Sequence, residues 1–379
     1  MQMLVKTLKK PITSTFIAIF LGIFFASLIL AFAGYAPFDV MKALFNGIFS
    51  KPKNIANVII KSTPIIITGL SVAFAFKTGM FNIGAEGQFI AGSVAATITG
   101  LSLNFPPFLQ IPIIILAGCL AGALLGGIIG SLKAKFGIHE VITSIMLNWI
   151  AFHLSNFVVN CAAFHKPNSS NTYTINENGF TTLFYKWKTS EEGLKFLKEH
   201  SLISEFFLKT DFNIGIFLAI ILAIFISFFL FKMTKGYELR ALGLNSQAAE
   251  FAGINIGRNT LYAMLIAGSI SGLAGALVIT GASPHNISDL SMFENNGFNG
   301  LSVALIAGSS PIGCIASGLF LGGLLYGGQF VQMQIGTPSE IINIMIGTIV
   351  FFIALAKFIP ILVDKFSKHR IKSNTFNKF

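Results

Sequence analysis

A chain of 379 residues that is 54% hydrophobic and only 11% charged, with 40 Phe, carries more apolar side chain than a soluble core can bury. This excludes an ordinary globular protein and defines a polytopic membrane protein. The net charge of +11 comes from short basic segments beside apolar runs, so it reads as membrane topology and excludes a nucleic-acid partner.

Near-uncharged runs of about 20 residues, each long enough to cross roughly 30 Å of hydrocarbon, predict an all-α fold of ten transmembrane helices. Barrel strands would be shorter and would alternate. The spans fall at 12–33, 55–76, 82–100, 111–131, 141–159, 212–231, 259–281, 298–309, 313–331 and 341–362, within a single transmembrane domain, 1–379. The first follows Lys6, Lys9 and Lys10 and ends in Ala31-Phe32-Ala33, a small-residue pattern like a signal-peptidase site. Its apolar run exceeds a usual signal core, and a retained helix is expected.

The third and eighth spans are Gly-rich or short, which predicts broken or partly re-entrant helices along the substrate route. Both begin with Phe-Asn, at Phe81-Asn82 and Phe298-Asn299, and both reach Ile-Ala-Gly. Their separation by an odd number of spans would direct them oppositely, as in an inverted five-plus-five repeat. Asn82, Gln88 and Asn299 could offer amides to sugar hydroxyls or a base edge, and Phe81 and Phe298 could offer stacking surfaces. Glu86 is the one ionisable residue well inside a span, where burying a charge costs about 2.5 to 3.5 kcal/mol. Two roles stay open for it: contact with substrate, or a helix-start carboxylate holding exposed backbone N–H groups. Lys61, Glu140, Glu340 and Lys357 lie near span ends, where they can reach headgroup water.

With the amino terminus inside, Lys6, Lys9, Lys10, Lys77, Lys133, Lys135, the 232–258 loop and the tail from Lys357 share one side, 16 basic residues against 3 acidic. Both termini and the basic tail 363–379 are therefore expected in the cytoplasm. The opposite side carries the long loop 160–211, whose six Lys are balanced by six acidic residues. Within it, Ser190-Glu191-Glu192 followed by Leu194, Leu197, Leu202 and Phe206 predicts a capped amphipathic helix, suited to docking a partner or covering the outer mouth.

The cytoplasmic loop 233–258 is a compact polar island. Gly236 is expected to end the sixth span, Ser246 to cap a short helix around 247–252, and Gly253 to close that helix in the left-handed conformation. Ala248, Ala249 and Ala252 would give it a face low in bulk, fit for a groove on a partner.

Catalytic readings fail on pattern. No Gly-Lys dipeptide occurs, so a Gly-x-x-x-x-Gly-Lys-Ser/Thr phosphate loop is impossible and the chain carries no ATPase site of its own. The six His are dispersed without metal-ligand spacing, no Gly-x-Ser-x-Gly elbow appears, and the three Cys form no disulfide or metal pattern.

Four segments carry a resemblance. Glu238 to Arg258, reading E-L-R-A-L-G-L-N-S-Q-A-A-E-F-A-G-I-N-I-G-R, resembles the coupling loop of ABC importer permeases of the branched-chain amino-acid, ribose and nucleoside superfamily. Phe81-Asn82-Ile83-Gly84-Ala85-Glu86-Gly87-Gln88 is similar to the F-N-I-G-x-E-G-Q signature of the simple-sugar and nucleoside branch. The run from His139 to Ile150 resembles that branch's E-V-I-x-T-I-M-L-N-Y-I segment, with Asn148 retained and Trp149 in place of Tyr. The run from Gly297 to Leu305 resembles G-F-D-G-I-A-V-A-L, with Asn299 replacing an acidic residue.

The resemblance implies a permease subunit in a bacterial inner membrane, with Phe81, Asn82, Glu86, Gln88, Asn148, Trp149, Phe298 and Asn299 along the substrate path. It implies coupling through Glu238, Leu239, Arg240, Gly243, Ser246, Ala248, Ala249 and Gly253. The partners it implies are a cytoplasmic ATPase that uses the ATP, a second permease, like or unlike, an extracytoplasmic substrate-binding protein, and membrane lipid. No cofactor bound by this chain is expected. A stand-alone ion-coupled carrier is the competing reading, and it would call for more buried charge than Glu86.

Overall fold

The computed structural model describes residues 11–357, and over that range the chain is helical, with isolated bridges and no strand. The basic tail 363–379, the end of the tenth predicted span and Lys6, Lys9 and Lys10 lie outside the described residues. The chain divides into two compact units, one from residues up to Gly47 and from Leu324 onward, the other Ile48–Gly323.

In the first unit, α1 (Pro11–Phe32) and the carboxy-terminal helix Ser339–Ala354 pack closely enough that Gly22 lies under the Ile349 backbone. Phe25 stacks on Phe352 at 4.7 Å. A 13-residue helix not foreseen from sequence, α2 (Pro37–Phe49), follows α1. Val40, Ala43 and Leu44 form its buried stripe, while Phe38, Phe45 and Phe49 face outward.

The second unit holds α3 (Pro52–Lys77), α4 (Ala85–Ser102), α5 (Pro107–Phe136) and α6 (Glu140–Val159). An outer loop with α7 (Tyr185–Lys188), α8 (Glu191–Glu199) and α9 (Ser201–Phe207) leads to α10 (Gly215–Lys232). Next come α11 (Thr234–Leu244), α12 (Ser246–Phe251), α13 (Ile256–Gly281) and α14 (Asn296–Ile306). Helix α15 (Pro311–Ile335) begins in this unit and runs into the first, where α16 (Ser339–Ala354) completes the set.

Six of these, α3, α5, α6, α10, α13 and α15, are long and apolar enough to cross a membrane. Segments Phe16–Phe32 and Ser339–Ala354 are shorter apolar helices. The third and eighth predicted spans are α4, which starts only at Ala85, and α14, whose 11 residues rise about 16 Å, roughly half a hydrocarbon core.

Small residues decide which helix is central. The apolar windows of α3 and α13 are 83% and 72% buried, against 33% for α5 and α10. Gly118, Gly122, Gly126 and Gly130 recur every four residues along α5, and a Cβ on Gly122 would run into the carbonyl of Gly268 on α13. A side chain on Gly272 would meet the carbonyl of Gly118 in the same way. In lipid, where apolar side chains gain nothing by leaving the solvent, such backbone-to-backbone approach supplies the packing energy.

The outer loop bears the predicted cap. Ser190 Oγ accepts the Gly193 N–H at 3.2 Å, but the helix breaks at His200 into α8 and α9. The break splits the predicted apolar face, leaving Leu197 buried and Leu202 71% exposed. Asn176 Nδ2 donates to the Leu103 carbonyl at 2.6 Å and the Thr181 N–H donates to Thr280 at 2.8 Å, tying the loop to the ends of α4 and α13.

Two expectations for the polar island are corrected. The sixth span ends at Lys232, and Gly236 lies inside α11, where the absence of a side chain lets that helix fold back onto the Phe229 carbonyl of α10. The cap of α12 is Asn245, whose Oδ1 accepts the Ala248 N–H at 3.0 Å; Ser246 is already the first helical residue. Gly253 has φ +81° and closes the helix as expected.

Candidate functional site: a clamped link and an exposed two-helix loop

The link 78–84 between α3 and α4 is not helical, and its polar groups are held from several directions. Asn82 is fully buried; its Nδ2 donates to Ser71 Oγ at 3.1 Å and to Gln88 Oε1 at 2.9 Å, and Gln88 Nε2 donates back to Asn82 Oδ1 at 3.2 Å. Asn148 of α6 straps the start of α4, accepting the Gly87 N–H at 2.8 Å and donating to the Ile83 carbonyl at 3.1 Å. The Phe81 N–H reaches Glu140 Oε1 at 3.3 Å, and Glu140 pairs with Lys133 at 2.7 Å.

Glu86 serves the frame in an unforeseen direction. Its carboxylate is fully buried and holds backbone N–H groups, but those of another helix. It accepts from Asn295 at 2.8 Å, Gly297 at 2.6 Å and Phe298 at 3.4 Å, which form the start of α14. Negative charge beside the unsatisfied donors of a helix amino terminus is favourable, and more so without water. Gly297 makes this possible, because a Cβ there would run into the backbone of Glu86. Thr68 on α3 completes the junction by donating to the Asn296 carbonyl at 2.8 Å.

The predicted path residues therefore divide. Asn82, Glu86, Gln88 and Asn148 spend their hydrogen bonds on the frame. Phe81, 37% exposed and stacked on Phe76 at 5.1 Å, and Trp149, 48% exposed, reach the surface, while Phe298 and Asn299 are half-buried. Trp149 packs edge-on against Phe293 at 4.8 Å, and Phe293 against Phe298 at 5.7 Å. Sequence reading missed Phe293, which lies outside the matched segments and bears no spacing signal.

The loop from α11 to α12 presents a second surface. Leu239 and Ala249 are buried beneath it, Glu238 pairs with Lys235 at 2.7 Å, and Arg240 Nε donates to the Leu230 carbonyl at 2.7 Å while its guanidinium lies over Phe231. The hydrogen bond from Lys235 holds the Glu238 carboxyl below its usual range. The named loop residues that stay exposed are Ser246, Ala248, Gly243 and Gly253. The most prominent apolar side chains here are ones sequence reading passed over, Leu244 at 86% and Phe251 at 94% exposed.

A multi-helix membrane protein with a clamped discontinuous helix and a protruding helical loop is what this fold defines. Comparison with known families then places it. The model of the family described as "Branched-chain amino acid transport system / permease component" matches residues 54–355, and the chain belongs to that family. It is thus a transport component.

The chain is 36% identical to the guanosine ABC transporter permease protein NupP of Bacillus subtilis, over 93% of this chain and 95% of that one. It is 33% identical to the nucleoside ABC transporter permease protein NupB of Lactococcus lactis, covering 92% of each. Identity to a glucose ABC transporter permease protein of Haloferax volcanii is 25%, over 85% and 81%. No solved structure matches the chain.

Proposed function

We propose that this chain is the permease subunit of an ATP-binding-cassette importer, forming the translocation path for nucleosides or related sugar-like solutes. The observation that carries the proposal is likeness along nearly the whole of two nucleoside permeases, with lower identity to the glucose permease. The surface at Trp149, Phe293 and Phe298 agrees with it, because a cluster of aromatic rings suits a planar base.

The chain has ten spans in the bacterial cytoplasmic membrane, with both termini inside and α4 and α14 as oppositely directed discontinuous segments of an inverted repeat. A cytoplasmic ATPase uses the ATP and grips α11 and α12. A second permease completes the path, and an extracytoplasmic binding protein delivers substrate at the 160–211 loop.

The test is uptake of labelled guanosine and labelled glucose into vesicles holding this chain with its ATPase, second permease and binding protein. ATP-dependent guanosine uptake is expected. Uptake by this chain alone, driven by an ion gradient, would replace the importer with a stand-alone carrier.

A further inference from the structure

Gly79 and Gly243 meet backbone to backbone. A Cβ on Gly243 would lie 2.6 Å from the Gly79 nitrogen and 2.7 Å from the Lys77 carbonyl oxygen, and one on Gly79 would lie 2.6 Å from the Gly243 Cα. Gly79 itself has φ +76°, a conformation that strains any residue with a side chain. The carboxy-terminal end of α11 is thereby seated in the turn that ends α3, next to Leu244 and the exposed α12. Three residues beyond Gly79 the chain is already buried at Asn82, locked by Gln88 and, through Ile83 and Gly87, by Asn148, and at Glu86 it is fastened to the start of α14.

We infer that the link 78–84 is the member that carries movement of the ATPase-facing loop into the membrane, with Gly243 as its input and Glu86 as its output to α14. The inference rests on the importer reading above and names the route within it. Glycine is required at the input because a side chain there would hold the two segments apart. At the output, the buried carboxylate holds three N–H donors of α14, so displacing α4 without α14 would strand both the charge and the donors. Both are positioning residues, acting on the path through the segments they hold.

The experiment uses the complete transporter in vesicles, with the three native Cys replaced by Ala and a single Cys placed at Phe81, within the link and partly exposed. Labelling by a membrane-impermeant maleimide is read with and without a non-hydrolysable ATP analogue, alongside guanosine uptake and ATP hydrolysis. In the Phe81→Cys parent the nucleotide is expected to change the labelling rate severalfold. Gly243→Ala should abolish that change while the subunits still co-purify. Glu86→Gln should preserve it but lower uptake about tenfold, the size of an ordinary coupling between sites, because the break then lies downstream.

A nucleotide effect that survives in Gly243→Ala, its absence from the parent, or full uptake by Glu86→Gln would each overturn the route. Should Gly243→Ala fail to insert, the parent and Glu86→Gln decide the matter. No ATP-dependent uptake by the unaltered chain would instead remove the importer reading.

Discussion

The Glu86 carboxylate accepts the Gly297 N–H at 2.6 Å, joining residues 211 positions apart in a site closed to water. Truncating Glu86 to Ala leaves the donors of Asn295, Gly297 and Phe298 without a partner, at about 1–3 kcal/mol for each buried group stranded. The variant should unfold at clearly lower temperature in detergent than the natural chain. Gln, which keeps one acceptor oxygen, should fall between the two, and an unaltered melting temperature for Glu86→Ala would show that the bonds contribute nothing.

Much of this frame was hidden from sequence reading for a physical reason. Apolar runs announce helices, and the cap at Ser190 and the left-handed Gly253 were legible because each depends on neighbours a few residues away. Gly236 was misread because one letter serves both a helix stop and a close backbone approach. Asn245 and Ser246 are both good caps, and only the backbone, extended at Asn245, chooses between them. The short α2 lacks the length of a span, so its 13 residues passed as connector. The partner of Glu86 lies on another helix, and no local pattern could reveal it.

The Gly122 and Gly268 contact tests the small-residue seam. Each would place a Cβ into the other's carbonyl, so Ala at either position must push α5 and α13 apart. Overpacking of this kind costs about 1–3 kcal/mol, and both variants should give less monodisperse protein on size-exclusion chromatography. Gly137→Ala is the control for contact: its φ of +67° brings backbone strain, but no atom lies near the added methyl. Its loss should be the smaller one.

On the protruding loop, Phe251 and Ala249 should fail differently. Phe251 is 94% exposed, so Phe251→Asp should leave the fold intact and, on the importer proposal, weaken ATPase capture by about 2 kcal/mol, as for a central interface anchor. Ala249 is 3% exposed, so Ala249→Trp disrupts the loop itself. Co-purification of the ATPase together with limited proteolysis separates the two: Phe251→Asp should lose the partner without new cleavage, and Ala249→Trp should show both. Wild-type co-purification by Phe251→Asp would move the docking surface elsewhere on the loop.

The outer loop should respond to acid through His285. Its ring is buried, stacks on Phe180 at 3.8 Å and bonds the Ile279 carbonyl at 2.9 Å. Burial is the main cause that lowers its pKa, nearby Lys188 adds to it, and the Ile279 bond and Asp211 oppose it. Because the folded pKa lies below the unfolded value, the unfolded loop binds more protons. Stability from this group is therefore complete above the ordinary imidazole pKa, about 6.5, and falls as pH drops below it. Protease cleavage within 160–211 should accelerate as the pH falls below about 6.5. His285→Gln, which can still donate to Ile279 but does not titrate, should flatten that dependence; an unchanged acid response in the variant would assign it to another group.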